Sequence, residues 1–222
     1  MIVKAVRIIH QNYHFGLLLV TLVLMLMLYP FFEAHPSIRE ESLGVFFILI
    51  LLSSVYSLSY SKPHMIIGAL LGIPTLIISL ISLFSAGTDM DLIRVSLLIA
   101  FNTFTIITIL MTVLNHTRVT QNTINGGICV YLLMGITWAM AYNMLETFMP
   151  GSFSVLDTYQ KLGSLVWTDF VYFSFTTLTT LGYGDITPAT SYAQSLTILE
   201  SCTGVLYIAV LISRLVSLYG RD

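Results

Sequence analysis

The segment from Thr177 to Asp185, which reads TLTTLGYGD, holds the residues of this chain best suited to binding a dehydrated cation. A cation that has lost its water shell needs oxygen ligands, and backbone carbonyls supply them without full charge. Consecutive carbonyls reach one side of a strand only where some residues adopt positive φ, which glycine does without a Cβ clash. Gly182 and Gly184 can adopt that conformation, and Thr180 adds a hydroxyl oxygen. The segment therefore predicts a cation pathway lined by oxygen atoms.

This segment resembles the filter motif of the potassium channel superfamily, T-x-T-T-V-G-Y-G-D. It departs from that motif only at Leu181, where the family usually has Val. The resemblance implies that the selectivity filter is Thr180–Gly184. It also implies that permeant K⁺, and no resident cofactor, is coordinated at Thr180, Leu181, Gly182 and Tyr183. Leu is longer than Val, which leaves open the packing behind the filter and, with it, the degree of selectivity.

The residues that flank the filter are expected to support it. Thr179 precedes the filter and Asp185 follows it. In many members of the family a pair of Trp residues lies on the helix before the filter, and one of them holds the filter Asp. This chain has Tyr172 and Phe173 in those places, and Phe173 cannot donate a hydrogen bond. Either Tyr172 or another group holds Asp185, or the outer end of the filter is less firmly anchored.

The composition indicates an integral membrane protein in contact with lipid. Hydrophobic residues make up 56% of the chain, charged residues make up 9%, and the mean hydropathy is +0.89. These values lie outside the range of soluble globular domains. The net charge of −2 and the single, scattered basic residues do not favour nucleic acid binding.

Apolar stretches of about 20 residues are needed to cross a bilayer as helices. Their number predicts an all-α protein with six transmembrane helices. Basic residues other than Arg39, Arg94 and Lys161 lie at alternate ends of these stretches, so the positive-inside rule places both termini in the cytoplasm and opens the filter to the outside. We expect a multi-pass protein of the plasma or inner membrane. The predicted spans are residues 15–32, 43–61, 65–85, 92–114, 124–148 and 191–218.

A polar stretch near residue 120 divides the chain into two predicted domains. Residues 121–222 form the pore domain, with an outer helix at 124–148, a re-entrant pore helix at 168–179, the filter at 180–184 and an inner helix at 191–218. Non-helical backbone at membrane depth is tolerated where it lines a water-filled path. This half carries the resemblance, whose nearest likeness is to bacterial ion channels of the two-helix pore type. One chain supplies one filter strand, so a homotetramer is implied.

Residues 1–120 form a predicted four-span membrane domain in the position of a voltage sensor. Its fourth span carries only Arg94, near the outer end, instead of a basic residue at every third position. Voltage gating needs several charges in each subunit. We therefore expect a channel without strong voltage gating, and the sequence does not reveal the opening stimulus.

The inner helix carries the candidate gate. Gly204 lies where family members often have a hinge glycine, although glycine also permits close packing of membrane helices, and both interpretations stay open. Helical spacing places Ile208, Ile212 and Val216 on the face of Gly204. We expect this face to line the cavity and to close the pore by dewetting.

Glu200 is a carboxylate well inside the predicted inner helix. Such residues are costly in a membrane and need a partner. The hydroxyl groups of Ser174 and Thr177 on the pore helix are the candidates. Glu200 is expected to brace the filter from behind, with a pH sensor or an ion-attracting ring as the alternatives.

The favoured function is passive conduction of K⁺ through a tetrameric filter. The alternatives are a non-selective cation channel, a membrane sensor or scaffold with little conductance, and a secondary transporter. A transporter predicts inverted repeats in the two halves, and the sequence has no such symmetry. An enzyme is not favoured, because the sequence has no nucleophile–base pair or metal-ligand cluster.

Overall fold

The computed structural model describes residues 14–33, 36–58, 62–82, 88–156 and 165–219. Within these ranges helices occupy all the predicted spans. Outside the described residues lie the chain termini and two predicted span ends, at residues 61 and 85. Two short strands were not predicted. The elements are α1 His14–Glu33, α2 Pro36–Leu58, α3 Lys62–Ser82, α4 Thr88–Asn115, α5 Gln121–Phe148, β1 Phe153–Val155, α6 Trp167–Leu178, β2 Ile186–Pro188 and α7 Ser191–Tyr219.

Four helices in the described part are long and apolar enough to cross a membrane: Pro63–Ile81 of α3, Asp91–Asn115 of α4, Gln121–Phe148 of α5 and Ser191–Leu218 of α7. The apolar segments of α1 and α2 are shorter, at Phe15–Phe31 and Gly44–Leu58. The protein is thus a membrane protein that is almost entirely helical. These lengths support four spans, and the expectation of six spans stays a prediction.

The chain divides into two compact units. The first comprises residues 1–133 with 215–222, and the second runs from Met134 to Arg214. The boundary therefore falls inside α5, about three helical turns beyond the polar stretch near residue 120.

The first unit is built from neighbouring antiparallel helices that bury one stripe each and leave the rest for lipid. On α1 the buried residues Leu18, Leu22 and Met25 follow helical spacing, whereas Leu17 and Leu24 are exposed. A hydroxyl contact of 3.0 Å between Thr21 Oγ1 and Ser53 Oγ links α1 to α2. This pattern is typical of helices that pack in a membrane.

Small residues allow the helices of this unit to approach closely. A Cβ added at Gly68 would lie 2.7 Å from Leu58 Cδ1, and one at Gly126 would lie 2.9 Å from the Phe15 ring. The start of α1 is fixed on α5, because the Phe15 backbone N–H donates to Asn122 Oδ1 at 3.1 Å.

The second unit contains the predicted filter. The outer part of α5 leads into β1, α6 returns toward the filter, and β2 connects the filter to α7. The strands pair antiparallel, with Phe153 opposite Pro188 and Val155 opposite Ile186. The pore helix was predicted at 168–179, and α6 runs one residue earlier, from Trp167 to Leu178. The Asp169 carboxylate accepts a hydrogen bond from the Val166 backbone N–H at 3.0 Å and so steadies its first turn.

Candidate functional site

The predicted filter has an alternating backbone. Thr180, Gly182 and Gly184 have φ values of 61°, 51° and 78°, while Leu181 and Tyr183 between them do not have positive φ. Alternation of left-handed and right-handed residues turns successive carbonyls to the same side, whereas an ordinary strand points them to opposite sides. Positive φ was predicted for the two glycines. It was not predicted for Thr180, because Thr rarely adopts it and nothing in its residue type signals it.

The inner end of the filter is bonded to the end of α6. The Thr180 backbone N–H donates to the Thr177 carbonyl at 2.9 Å. The N–H groups of Leu181 and Gly182 both donate to the Thr176 carbonyl, at 2.8 and 3.1 Å. Thr179 caps the helix, and its hydroxyl donates to the Phe175 carbonyl at 2.7 Å. The last carbonyls of α6 thus hold the first filter residues in place.

The outer end of the filter is held by Tyr172. Its hydroxyl donates to Asp185 Oδ2 at 2.6 Å, and its ring stacks on that of Tyr183 with centroids 6.4 Å apart. Hydrogen bonds to a carboxylate are among the stronger ones in proteins. Of the alternatives that the sequence left open, the structure places Tyr172, and not Phe173, against Asp185.

A second anchor of the outer end comes from the short sheet. The Leu156 backbone N–H, directly after β1, donates to the Asp185 carbonyl at 2.9 Å. At the other end of the sheet, the Ser152 carbonyl accepts from the N–H groups of Ala189 and Thr190 at 2.8 and 3.3 Å. The sheet therefore joins the filter exit to the turn after α5 and to the start of α7. Sequence reasoning missed it because three residues are too few for a recognisable alternation.

Strand β1 is fixed from two directions. The Phe153 ring makes edge-to-face contacts with Tyr142, Phe170 and Phe173, with centroids 5.4, 5.2 and 5.3 Å away. The carboxylate of Glu146 accepts from the Phe153 backbone N–H at 3.1 Å through one oxygen and from the Gly151 N–H at 2.8 Å through the other. Phe173, which cannot donate a hydrogen bond to Asp185, belongs to this aromatic cluster.

Glu200 lies fully buried behind α6. Ser174 Oγ lies 2.5 Å from Glu200 Oε1, and Tyr142 Oη donates to Glu200 Oε2 at 2.5 Å. Ser174 is one of the two predicted partners. Tyr142 was not predicted, because a Tyr inside an apolar span is equally typical of core packing. Glu200 therefore joins the pore helix to both the outer and the inner helix.

Two glycines allow α6 to approach its neighbours. A Cβ at Gly135 of α5 would lie 2.6 Å from the Phe175 ring. A Cβ at Gly204 of α7 would lie 3.0 Å from Leu178 Cδ1 and still closer to the Leu178 carbonyl oxygen. Gly204 is thus a packing contact with the end of the pore helix, and its expected role as a hinge stays a prediction.

The other predicted gate residues lie on an uncovered face of α7. Ile208, Ile212 and Val216 are exposed to 41%, 56% and 66% in the single chain. The filter side chains Leu181 and Tyr183 are also exposed, to 56% and 68%. An uncovered apolar surface of this extent on one chain indicates that lipid, an aqueous cavity or another protein surface covers it.

The apolar helices and the alternating backbone of residues 180–184 are typical of an ion channel domain. Residues 130–221 match the profile of the family described as Ion channel. A segment of 61 residues is 41% identical to Two-pore potassium channel 4 of Arabidopsis thaliana, which covers 28% of this chain and 22% of that protein. This chain thus spans less than a quarter of that relative's length. No solved structure matches this chain significantly. The pore half is thus similar to members of the potassium channel superfamily. The expected likeness to bacterial channels stays a prediction.

Proposed function

We propose that the protein is a K⁺-selective channel in which four copies surround one pore. The observation that carries this proposal is the alternation of positive φ at Thr180, Gly182 and Gly184. Such a strand offers a row of backbone carbonyls to a dehydrated ion. Thr180, Leu181, Gly182 and Tyr183 would coordinate K⁺ in the assembled channel, with no other cofactor. The potassium channel named above supports the choice of ion.

The tetramer is proposed because one chain supplies one strand and a potassium cage needs several around one axis. The exposed side chains of Leu181 and Tyr183 support it, since contact with a neighbouring copy would bury them. Further exposed apolar residues of α7 would be shared between neighbouring copies and lipid. These residues are Tyr192, Ile198, Leu199, Val205, Leu206 and Val210.

We place the channel in the plasma or inner membrane, with six spans and both termini in the cytoplasm. The helices α1 and α2 would complete the six spans, although their apolar segments are shorter than those of the other four. The basic residues at alternate span ends support this orientation. The N-terminal half would then be a four-span domain beside the pore.

Opening is proposed to depend little on voltage. One elementary charge contributes about 2.3 kcal/mol per 100 mV, so steep gating needs several charges in each subunit. The fourth helix carries only Arg94, whose guanidinium forms an ion pair of 3.1 Å with Asp91. Closure would instead occur where Ile208, Ile212 and Val216 form apolar rings and exclude water.

A non-selective cation channel is the alternative that Leu181 favours, because a longer side chain behind the filter changes its packing. A sensor or scaffold with little conductance would carry the same helices without ion flow. Measurements of ionic current distinguish both alternatives from the proposed K⁺-selective channel.

The test is the reversal potential of the purified protein in a planar bilayer, with K⁺ on one side and Na⁺ on the other. We expect reversal near the potassium equilibrium potential, loss of that selectivity in Tyr183→Ala, and no change in Ile66→Ala, which alters an exposed side chain of α3 outside the pore half. Reversal near zero for the wild type would favour the non-selective channel. Intact tetramers without current would favour the scaffold.

A further inference from the structure

The hydrogen bonds around Ser174 require more protons than an ionised Glu200 allows. Ser174 Oγ lies 2.5 Å from Glu200 Oε1 and 2.7 Å from the Gly135 carbonyl oxygen. A serine hydroxyl has one proton, and an ionised carboxylate and a carbonyl both only accept. With Glu200 ionised, one of these two short contacts would hold two oxygen atoms with no hydrogen between them. Such a contact is repulsive, and in a buried site it is not relieved by water.

A protonated Glu200 removes the conflict. Its carboxyl O–H then donates to Ser174 Oγ, and the Ser174 hydroxyl is free to donate to Gly135. Tyr142 Oη still donates to the other carboxyl oxygen, at 2.5 Å. Three protons then serve three contacts, and each contact contains one hydrogen.

The surroundings of the carboxyl group also favour its neutral form. Glu200 is fully buried, and Ser174 and Tyr142, its two side-chain partners in the described part of the chain, are hydroxyl groups without charge. A buried ionised carboxylate without a compensating positive charge is costly in an apolar medium. Neutral carboxylic acids that act as hydrogen-bond donors are known from other apolar protein sites.

We propose that Glu200 retains its proton and donates a hydrogen bond to Ser174. It thereby completes a directed chain of hydrogen bonds from Tyr142 through Glu200 and Ser174 to Gly135. These hydrogen bonds tie the pore helix α6 to α5 and α7 at a position six residues before the filter begins. Glu200 is thus a positioning residue for the filter, and it adds no negative charge behind it. The proposal rests on the proposed function, since it concerns the support of the same filter.

Glutamine at position 200 provides the central test, because its amide reproduces a neutral carboxyl group. The amide oxygen can accept from Tyr142 while the amide N–H donates to Ser174. We expect Glu200→Gln to keep the K⁺/Na⁺ permeability ratio within about threefold of wild type. Glu200→Ala should lower it by about tenfold, the change that about 1.4 kcal/mol produces.

Glu146 offers a matched control in the same unit. Both of its carboxylate oxygens accept from backbone N–H groups, so the amide N–H of a Gln there would face a donor instead of an acceptor. Glu146→Gln should therefore weaken the protein, as judged by the thermal stability of the tetramer, whereas Glu200→Gln should not.

Infrared spectroscopy detects the protonated carboxyl group of Glu200 directly. The difference spectrum between the wild type and Glu200→Gln at neutral pH should contain the carbonyl band of a protonated carboxylic acid. Carboxylate bands in its place, or equal losses of selectivity and stability in Glu200→Gln and Glu200→Ala, would overturn the proposal. A non-selective wild type would instead overturn the proposed function and leave the infrared result standing.

Discussion

Replacing Gly204 by Ala tests whether this residue serves packing or bending. The added methyl group would meet the backbone carbonyl of Leu178 and lie 3.0 Å from Leu178 Cδ1. A flexible side chain could move aside, but this carbonyl ends the pore helix, next to the carbonyls that hold Thr180 and Leu181. The helices must therefore separate, or the end of α6 must shift.

The expected magnitude follows from two opposing terms. Overpacking costs about 1–3 kcal/mol, and the upper end applies where the obstacle is backbone. Ala is better than Gly in a helix by about 1 kcal/mol, which offsets part of that cost. The net loss is about 2 kcal/mol per chain, or about thirtyfold in the folding equilibrium.

The assay is thermal unfolding of the detergent-solubilised protein, followed by size-exclusion chromatography. Gly16→Ala is the control, because a Cβ at Gly16 meets no atom within 4 Å and should leave stability unchanged or slightly raised. A Gly204→Ala protein as stable as the wild type would refute the packing argument. If that stable protein also opened less often, Gly204 would serve as a hinge.

Three further predictions concern the filter supports and the fourth helix. Tyr172→Phe removes the hydrogen bond to Asp185, which is worth about 1.5–3 kcal/mol. Currents of this variant should decay faster when external K⁺ is lowered. Decay at the wild-type rate would mean that the other contacts of Asp185 suffice to hold the filter. Phe153→Ala should cost about 3–5 kcal/mol, seen as a lower melting temperature, whereas Ser154→Ala on the exposed face of the same strand should have little effect. Arg94→Gln should leave the conductance–voltage curve in place, and a large shift of that curve would contradict the proposed weak voltage dependence.

Much of the helical framework can be predicted from the sequence. Apolar length specifies a membrane helix because the bilayer demands it, whatever the neighbouring helices are. The inner span was accordingly predicted at 191–218 and is a helix at Ser191–Tyr219, while the short helix predicted at 168–179 from its place before the filter is observed at Trp167–Leu178. The filter was recognisable because its chemistry requires glycines at fixed positions.

The supports of the filter could be predicted only in part. Tyr172 and Ser174 were among the candidates because they carry hydroxyl groups near the right positions. Tyr142 lies 58 residues from Glu200 in the chain, and its role depends on how α5 packs, which the spacing of apolar residues does not specify. The sheet escaped prediction for a similar reason, since β1 pairs with a strand far along the chain, as the 33-residue separation of Ser154 and Thr187 shows.

The attachments of α7 to the rest of the second unit lie in its first half. Its start is bonded to Ser152, and its middle contacts α6 at Glu200 and Gly204. A rotation of about 10° about Gly204 would displace Ile212, eight residues further along, by about 2 Å and leave the filter still. Such an arrangement would allow the gate and the filter to be tuned separately, since mutations beyond Gly204 would change how often the pore opens without changing which ion it admits.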